Sequence, residues 1–442
     1  MLSERTNEKT INCSVHGPMS FSVVAMAIID TMEFQRLREI SQLGIAEFVF
    51  PGGSQTRFEH SLGTSHLGKT FISAIARRQP ELGISTRELL CVELAGLCHD
   101  LGHGPFSHLW EQFYERCCAH NGVPSEWHHE HTSVTILRYL LEKNRILERF
   151  PNEINYEDVR MIEHMILGEP LVDSRRRFLY QIINNPDSGL DVDKWDYFYR
   201  DAQNLGVKID FEYKHILREI AVLEHDGQLQ VCFRDKSYEL IFDAFDNRMK
   251  LHKKAYQHPK SRIIEEMIIE SLIQWERSGR ESFWNTTRAI ACAEPTPESL
   301  ENFVQLTELK VRLALKTIPL YRAILARSTD PLMYKYAGTV NHEELIRERF
   351  DEILHRYGIS FSEVAVLKVN VHMGKHSHNP MDFVLFFKKG SKQAEKLRSP
   401  DGIRVTEKAL VVALREHDPE KLIRLRSCID EYCIRFTARN EY

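Results

Sequence analysis

From Leu89 to Cys98 the chain is nearly all apolar, and the run stops at His99-Asp100-Leu101-Gly102-His103-Gly104-Pro105. In front of it, Ser85-Thr86-Arg87-Glu88 has the pattern of a capping box, in which the serine caps the first amides and Glu88 reaches back. A buried helix is expected here, ended by two glycines and a proline. Adjacent residues of a regular helix point about 100° apart, so His99 and Asp100 cannot readily face one ion in mid-helix. At a helix end the backbone can turn and both side chains can converge. A lone His-Asp dipeptide is common and usually means nothing, but here the context is dense. His103, His108 and His129 follow, His60 lies upstream in Arg57-Phe58-Glu59-His60-Ser61-Leu62-Gly63, and Asp193 lies downstream in Asp191-Val192-Asp193-Lys194-Trp195-Asp196-Tyr197. Two imidazoles and two carboxylates suit a first-row divalent ion such as iron, manganese, zinc or nickel, with positions left for water. Such an ion can make hydroxide available at neutral pH.

The remaining bulk properties narrow the class. The 442 residues allow two or three ordinary domains, and 43% hydrophobic with 27% charged residues is normal for a soluble globular chain. A net charge of −5 gives no overall basic field to drive nucleic-acid or membrane binding, although a local basic patch is compatible with it. The nine cysteines form no CxxC pair, which argues against a zinc ribbon. The N-terminus is polar, and no apolar run reaches membrane-spanning length. Nucleus or cytoplasm, with reduced thiols, is the expected compartment, neither secreted nor membrane-bound. Of the 21 histidines, seven crowd between positions 99 and 131, where a bland surface explanation is hard to sustain.

The first two-thirds of the chain reads as mostly helical. Residues 20–44 carry Phe34, Leu37 and Ile40 on one helical stripe, and 191–205, 240–258 and 300–330 read as further helices. Asp193, Tyr197 and Asp201 share one helical face by their spacing, as do Arg248, His252 and Tyr256. Amphipathic helices with polar outer stripes would show the same spacing. Val364 to His372 and Phe383 to Lys389 read as strands around a turn at Asn379-Pro380, forming a small antiparallel sheet, and a helix is expected from about 418. The expected architecture is mainly α: a helical core over residues 1–290 and a smaller α+β region over 291–442.

These segments assemble the pattern H…HD…D and resemble the HD-domain phosphohydrolase superfamily. More narrowly, the chain resembles the SAM-and-HD-domain dNTP triphosphohydrolases, through QLGIAEFVFPGGSQTRFEHSLG (42–63), ELAGLCHDLGHGPFSH (93–108), WHHEH (127–131), DVDKWDYFYRD (191–201) and LHKKAYQH (251–258), and more weakly through NPMDFVLFFKK (379–389). A SAM domain is not expected within these residues, since residue 9 already lies in the segment leading into the core. The resemblance implies an HD-domain helical core with His60, His99, Asp100 and Asp193 as metal ligands. It implies cleavage of dNTPs into deoxynucleoside and inorganic triphosphate, with magnesium accompanying the triphosphate. His129 corresponds to the family's catalytic histidine, although one of three histidines in a solvent-exposed cluster would look similar, and the adjacent Glu130 could orient its ring. Arg57, His103 and His108 correspond to contacts with the α-phosphate, and Lys194 and Arg248 to contacts with the distal phosphates. Gln42 and Asp201 would hold the sugar 3′-hydroxyl, and Leu43, Tyr197 and Tyr256 would form the sugar wall. An aromatic pressed against C2′ would exclude a ribose hydroxyl.

Family members are activated by guanine nucleotides (GTP or dGTP) and dNTPs at paired sites that assemble a tetramer. The guanine site looks retained in Lys9, Asp30, Gln35 and Arg38, though Asp30 to Arg38 is also what a charge-paired amphipathic helix looks like. Of the second site Val49, Arg234 and Lys236 match, but His215, Glu219, Leu240 and Pro259 depart from the family's arginine, phenylalanine, asparagine and lysine. Lys396 and Arg398 are candidates for its remaining basic residues. A homo-oligomer, dimer or tetramer, is expected, with dNTP gating weakened or altered. Two other functions fit parts of the pattern. Another HD-type phosphohydrolase or phosphodiesterase would share the ligands without needing Lys194 and Arg248 together. A protein binding single-stranded nucleic acid on the same fold would need a basic groove that the acidic balance does not favour.

Overall fold

The computed structural model describes residues 8–171, 175–292, 294–327, 330–341, 346–400 and 402–436. The chain opens with an antiparallel hairpin, β1 (Lys9–Cys13) and β2 (Gly17–Phe21), in which Lys9 faces Phe21 and Cys13 faces Gly17. The stretch expected as one helix over 20–44 is broken. Ser22 caps α1 (Val23–Ile29), Thr31 caps α2 (Met32–Gln35), and a 3₁₀ turn, Arg36–Glu39, follows. Each cap hydroxyl takes a nearby backbone amide and so starts a new helix, which the apolar spacing alone cannot reveal. Phe34, Leu37 and Ile40 are nevertheless all buried.

The helical core comprises α3 (Arg57–Arg78), α4 (Thr86–Cys98), α5 (His108–Asn121), α6 (His129–Lys143), α7 (Ile146–Arg149), α8 (Tyr156–Leu167) and α9 (Val192–Leu205). The reciprocal capping box of Ser85 and Glu88 is present, and from Cys91 to Cys98 every residue of α4 is buried. This central helix packs against α3 on one side and α8 on another. After α10 (Tyr213–Arg218) comes a second hairpin, β3 (Ile220–His225) and β4 (Gln228–Arg234), then α11 (Tyr238–Leu251). The helix expected over 240–258 is not continuous: a π turn, His252–Tyr256, replaces its end, and His258 caps α12 (Pro259–Arg277). π turns widen the helix by one residue and cluster at functional sites. Then come α13 (Phe283–Ile290), α14 (Pro297–Val304), α15 (Glu308–Leu315) and α16 (Pro319–Ala326).

The C-terminal region holds β5 (Lys335–Val340), α17 (Arg347–Arg356), β6 (Val364–His372), β7 (Leu385–Phe387), β8 (Glu395–Lys396), β9 (Thr406–Leu414) and α18 (Pro419–Phe436). The antiparallel sheet exists, in the order β5-β9-β6, but its pairing differs from the expected one. β6 pairs with β9, whereas β7 runs parallel to β4 and extends the hairpin of the helical core into a mixed four-stranded sheet. The physical reason lies in β9, which is buried from Leu410 to Leu414 and can take the central position. Its Val411 and Ala413 face the main core, while Leu410, Val412 and Leu414 join a second core with Phe350, Ile353, Leu354, Leu425 and Tyr432 from α17 and α18. Among the described residues no helix is long and apolar enough to cross a membrane.

Candidate metal centre and cavity

The end of α4 delivers the His-Asp pair. His99 is the C-cap of that helix, and its Nδ1 lies 2.9 Å from the Gly96 carbonyl oxygen. A carbonyl can only accept, so Nδ1 carries a proton and Nε2 is the nitrogen left to face a ligand. His60, on the first turn of α3, is fixed in the same way: its Nδ1 lies 2.7 Å from Asp196 Oδ2. Both Nε2 atoms are buried without a hydrogen-bond partner. They converge on Asp193, whose Oδ1 lies 2.9 Å from His60 Nε2 and 3.6 Å from His99 Nε2. The 2.9 Å approach lacks hydrogen-bonding geometry, which suits two ligands aimed at a common point rather than at each other. The donor atoms of His60, His99 and Asp193 all lie within 4.8 Å of one another. Asp100 borders the group, with Oδ1 3.3 Å from His99 Nε2 and Oδ2 3.6 Å from His60 Nε2, while Arg57 donates to that same Oδ2 at 2.5 Å. Bare, buried nitrogens facing carboxylate oxygens are the donor set of a divalent metal. These residues fit such an ion.

The turn that follows is clamped from several directions. Ser133 of α6 accepts from the Gly102 amide at 2.8 Å and donates to the His99 carbonyl at 2.6 Å. Gly102 permits this closeness, because a Cβ there would lie 2.2 Å from the His129 carbonyl and 2.4 Å from the Ser133 nitrogen. Arg36, buried and with its pKa pushed down to about 9 by that burial, donates to the carbonyls of Leu101, His103 and Leu306. Phe106 and Ser107 adopt positive φ, 61° and 56°. That strain is held by hydrogen bonds: Ser107 Oγ donates to the Ser41 carbonyl and accepts from Arg57 Nε at 2.8 Å.

Beside the centre lies a cavity of about 560 Å³ lined by residues from both halves of the motif set. Gln42, Leu43, Arg57, His99, Asp100, His103, His108, His129, Asp193, Lys194, Tyr197, Asp201, Arg248 and Tyr256 all face it. Every residue expected to bind substrate is thus brought to one space, and the two helical faces point inward rather than outward. The rings of His103 and His129 stack with centroids 3.8 Å apart. Burial and the neighbouring Arg57 hold the His103 pKa well below its ordinary value, so this ring is neutral. The expected orienting residue for His129 needs correction. Glu130 approaches to 3.4 Å, but Glu111 on α5 accepts from His129 Nδ1 at 2.5 Å. Burial alone would raise the Glu111 carboxyl, yet hydrogen bonds from His108 and His129 hold it well below the usual range. Glu111 sits one turn after His108, so its place on the α5 face was readable, but its partner on α6 was not. Lys194 is clasped by Asp191 at 2.8 Å, and Arg248 Nη1 donates to the His372 carbonyl at 2.5 Å. Asp201 accepts from Tyr256 and from Gln55 Nε2, and burial pushes its carboxyl up to about 6.

The residues expected to bind regulators lie elsewhere. Asp30, Gln35 and Arg38 gather at the α1–α2 turn: Gln35 donates to the Ile29 carbonyl, and Arg38 donates to Gln35 and covers the Phe58 ring at 3.5 Å. Lys9 stands exposed on β1. Val49 is half-buried beside a 3₁₀ turn, Ala46–Phe48, while Arg234 and Lys236 both meet Glu219 at 3.3 and 2.7 Å. Lys396 lies on β8, and Arg398 borders a shallow groove with Ser377 and Asp382.

A family model for the HD domain matches residues 57–200, the span from Arg57 to Arg200 that contains all four expected ligands. Among curated proteins, the deoxynucleoside triphosphate triphosphohydrolase SAMHD1 of Homo sapiens is 33% identical over 98% of this chain and 72% of its own length. The Danio rerio protein of that name is 32% identical over 94% of this chain and 70% of its own. The SAMHD1 homolog of Dictyostelium discoideum is 37% identical over 62% of this chain and 50% of its own. With the HD motif set assembled in space and similarity running through nearly all of its length, the chain belongs to the SAMHD1 family of HD-domain proteins.

Proposed function

We propose that this chain hydrolyses deoxynucleoside triphosphates to deoxynucleoside and inorganic triphosphate. The observation that carries the reading is the pair of bare imidazole nitrogens, His60 Nε2 and His99 Nε2, set against Asp193 at the wall of a cavity that also holds Lys194 and Arg248. His60, His99, Asp100 and Asp193 would hold a divalent ion, which supplies Lewis acidity at the α-phosphate. Arg57 and the neutral His103 line the cavity beside that group and orient the α-phosphate. His129, held at Nδ1 by Glu111, lines the cavity; as water adds to the α-phosphorus and the bond to the 5′-oxygen breaks, it delivers a proton to that departing oxygen. His108 borders the same space from the first turn of α5. Lys194 and Arg248 bind the distal phosphates with their magnesium. Asp201 and Gln42, whose Oε1 is buried without a partner, receive the 3′-hydroxyl. Leu43, Tyr197 and Tyr256 close on the sugar and exclude a 2′-hydroxyl by contact. Regulation by guanine nucleotide through Lys9, Asp30, Gln35 and Arg38 belongs to the same reading, and dNTP pool control would be its consequence.

The test is a product assay with purified protein, dGTP and a divalent metal, resolved by chromatography. Deoxyguanosine plus triphosphate is expected, and Asp193→Ala should abolish it while the chain stays folded. Monophosphate plus pyrophosphate would overturn the reaction assignment. Adding GTP with a second dNTP then tests the regulatory part.

A further inference from the structure

The most heavily partnered carboxylate near the candidate centre does not line the cavity. Asp196 on α9 is fully buried, three residues beyond Asp193. Both of its oxygens are used. Oδ1 accepts from His16 Nε2 at 2.7 Å and from Arg200 Nη2 at 2.8 Å, and Oδ2 accepts from His60 Nδ1 at 2.7 Å and from Arg200 Nε at 2.8 Å. Gly63 makes room for this group, since a Cβ there would lie 1.8 Å from Asp196 Oδ1 and 2.5 Å from Arg200 Nη2. A carboxylate is buried at a high desolvation cost unless paired and hydrogen-bonded. Arg200 answers the charge with a two-pronged contact. The remaining two bonds therefore hold two rings in place. One ring is His60, whose opposite nitrogen faces Asp193. The other is His16, whose side chain is 2% exposed, in the turn of the β1–β2 hairpin and packed against His66 and Tyr213.

We propose that Asp196 is a positioning residue that fixes the tautomer and ring plane of His60, and that His16 makes this fixation depend on the docking of the N-terminal hairpin. The inference rests on the reading of His60 as a metal ligand, and on no assignment of substrate. His60 offers Nε2 to a cation only while Nδ1 bears the proton, and an accepting oxygen at Nδ1 keeps it there. When the hairpin shifts, Oδ1 loses one of its two donors, and the buried carboxylate swings toward Arg200 and away from the geometry that aims His60. Lys9 begins the same hairpin, so a nucleotide gripped there has a physical route of two hydrogen bonds to the metal centre. Linkage makes the route reciprocal: a bound cation stiffens the hairpin.

The experiment uses the full chain, no nucleotide, and Mn²⁺ with Zn²⁺ in parallel, and measures metal affinity by equilibrium dialysis. Asp196→Asn is expected to weaken binding by roughly 10–100-fold. His16→Ala weakens it in the same direction, and His16→Gln, whose carboxamide N–H can still donate to Asp196, restores it in part. Hydrogen exchange supplies the second readout: metal slows exchange of the hairpin amides, 9–21, in the wild type and not in His16→Ala. Should Asp196→Asn fail to fold, the two His16 variants decide the matter. Unchanged metal affinity in folded variants overturns this inference alone. A wild-type chain that retains neither ion overturns it together with the metal reading, and a chain that binds metal as described yet spares dNTPs leaves it standing.

Discussion

At the scale of single residues, what was legible depended on whether a residue's partner was near in sequence or was carried by a motif. The four expected ligands stand in motifs; His60, His99 and Asp193 converge, and Asp100 borders them. Glu111, Asp196 and His16 went unread because their partners are 18, 136 and 180 positions away. Glu130 is the sequence neighbour of His129, whereas the closer oxygen belongs to another helix. Glu111→Gln therefore gives a sharp prediction. A carboxamide cannot stabilise an imidazolium as a carboxylate does, so kcat should fall by about 10²-fold with KM little changed. Steady-state kinetics on dGTP measure both, and an unchanged kcat would remove His129 from the role of acid. Asp201 gives a pH prediction. Its folded pKa, about 6, lies above the ordinary value near 4, so the folded chain binds the extra proton between these values. Its contribution to stability accordingly declines as pH rises from about 4 to about 6. Below about 6 the neutral carboxyl no longer serves as an ionised acceptor for a sugar hydroxyl. KM should climb as pH falls through that value, and Asp201→Asn should show a higher but flatter profile. An acid limb that persists unaltered in Asp201→Asn would assign the titration to another group.

Among elements, the strongly signalled ones were readable and the junctions were not. α4 was visible because its apolar run and its capping box agree. The breaks between α1 and α2, and between α11 and the π turn, were hidden because helical periodicity continues across them while the hydrogen-bond ladder does not. Strand character is visible over 364–372, and of 383–389 only Leu385–Phe387 forms a strand, while Phe383 ends a 3₁₀ turn; pairing depends on a third strand, β9, that supplies the central position. Two substitutions separate the cap of α4 from the turn that follows it. Ser85→Ala removes the cap and should cost about 1 kcal/mol in chemical denaturation, with kcat unchanged, since the box lies at the far end of the helix from His99. Gly102→Ala forces a Cβ into the backbone of His129 and Ser133, neither of which can rotate away. It should lower the melting temperature well beyond Ser85→Ala and abolish turnover. Equal melting temperatures for the two variants would show that the contact between this turn and α6 is not needed.

For the whole molecule, assembly is where the fold adds charge geometry to the sequence match. Arg234 and Lys236 are cations that match the expected second regulatory site, and both are spent on Glu219, which stands where the family carries phenylalanine. A triphosphate approaching them meets a carboxylate whose charge cancels much of theirs at contact distance. The other departures point the same way. His215 is exposed on α10, Leu240 packs half-buried against the core, and Pro259 occupies the first position of α12, where its fixed φ serves the helix start and offers no cation. We therefore expect that dNTP does not gate assembly in this chain. Light scattering coupled to gel filtration should give the same mass with GTP alone as with GTP and dATP together. Glu219→Gln frees both cations without changing shape, so its mass distribution should shift towards larger assemblies when both nucleotides are present. Glu219 touches nothing in the cavity, so single-turnover cleavage at saturating dGTP should remain as in the wild type. A wild-type tetramer that forms only with both nucleotides would overturn the expectation and would mean that a bound triphosphate displaces Glu219 from Arg234 and Lys236.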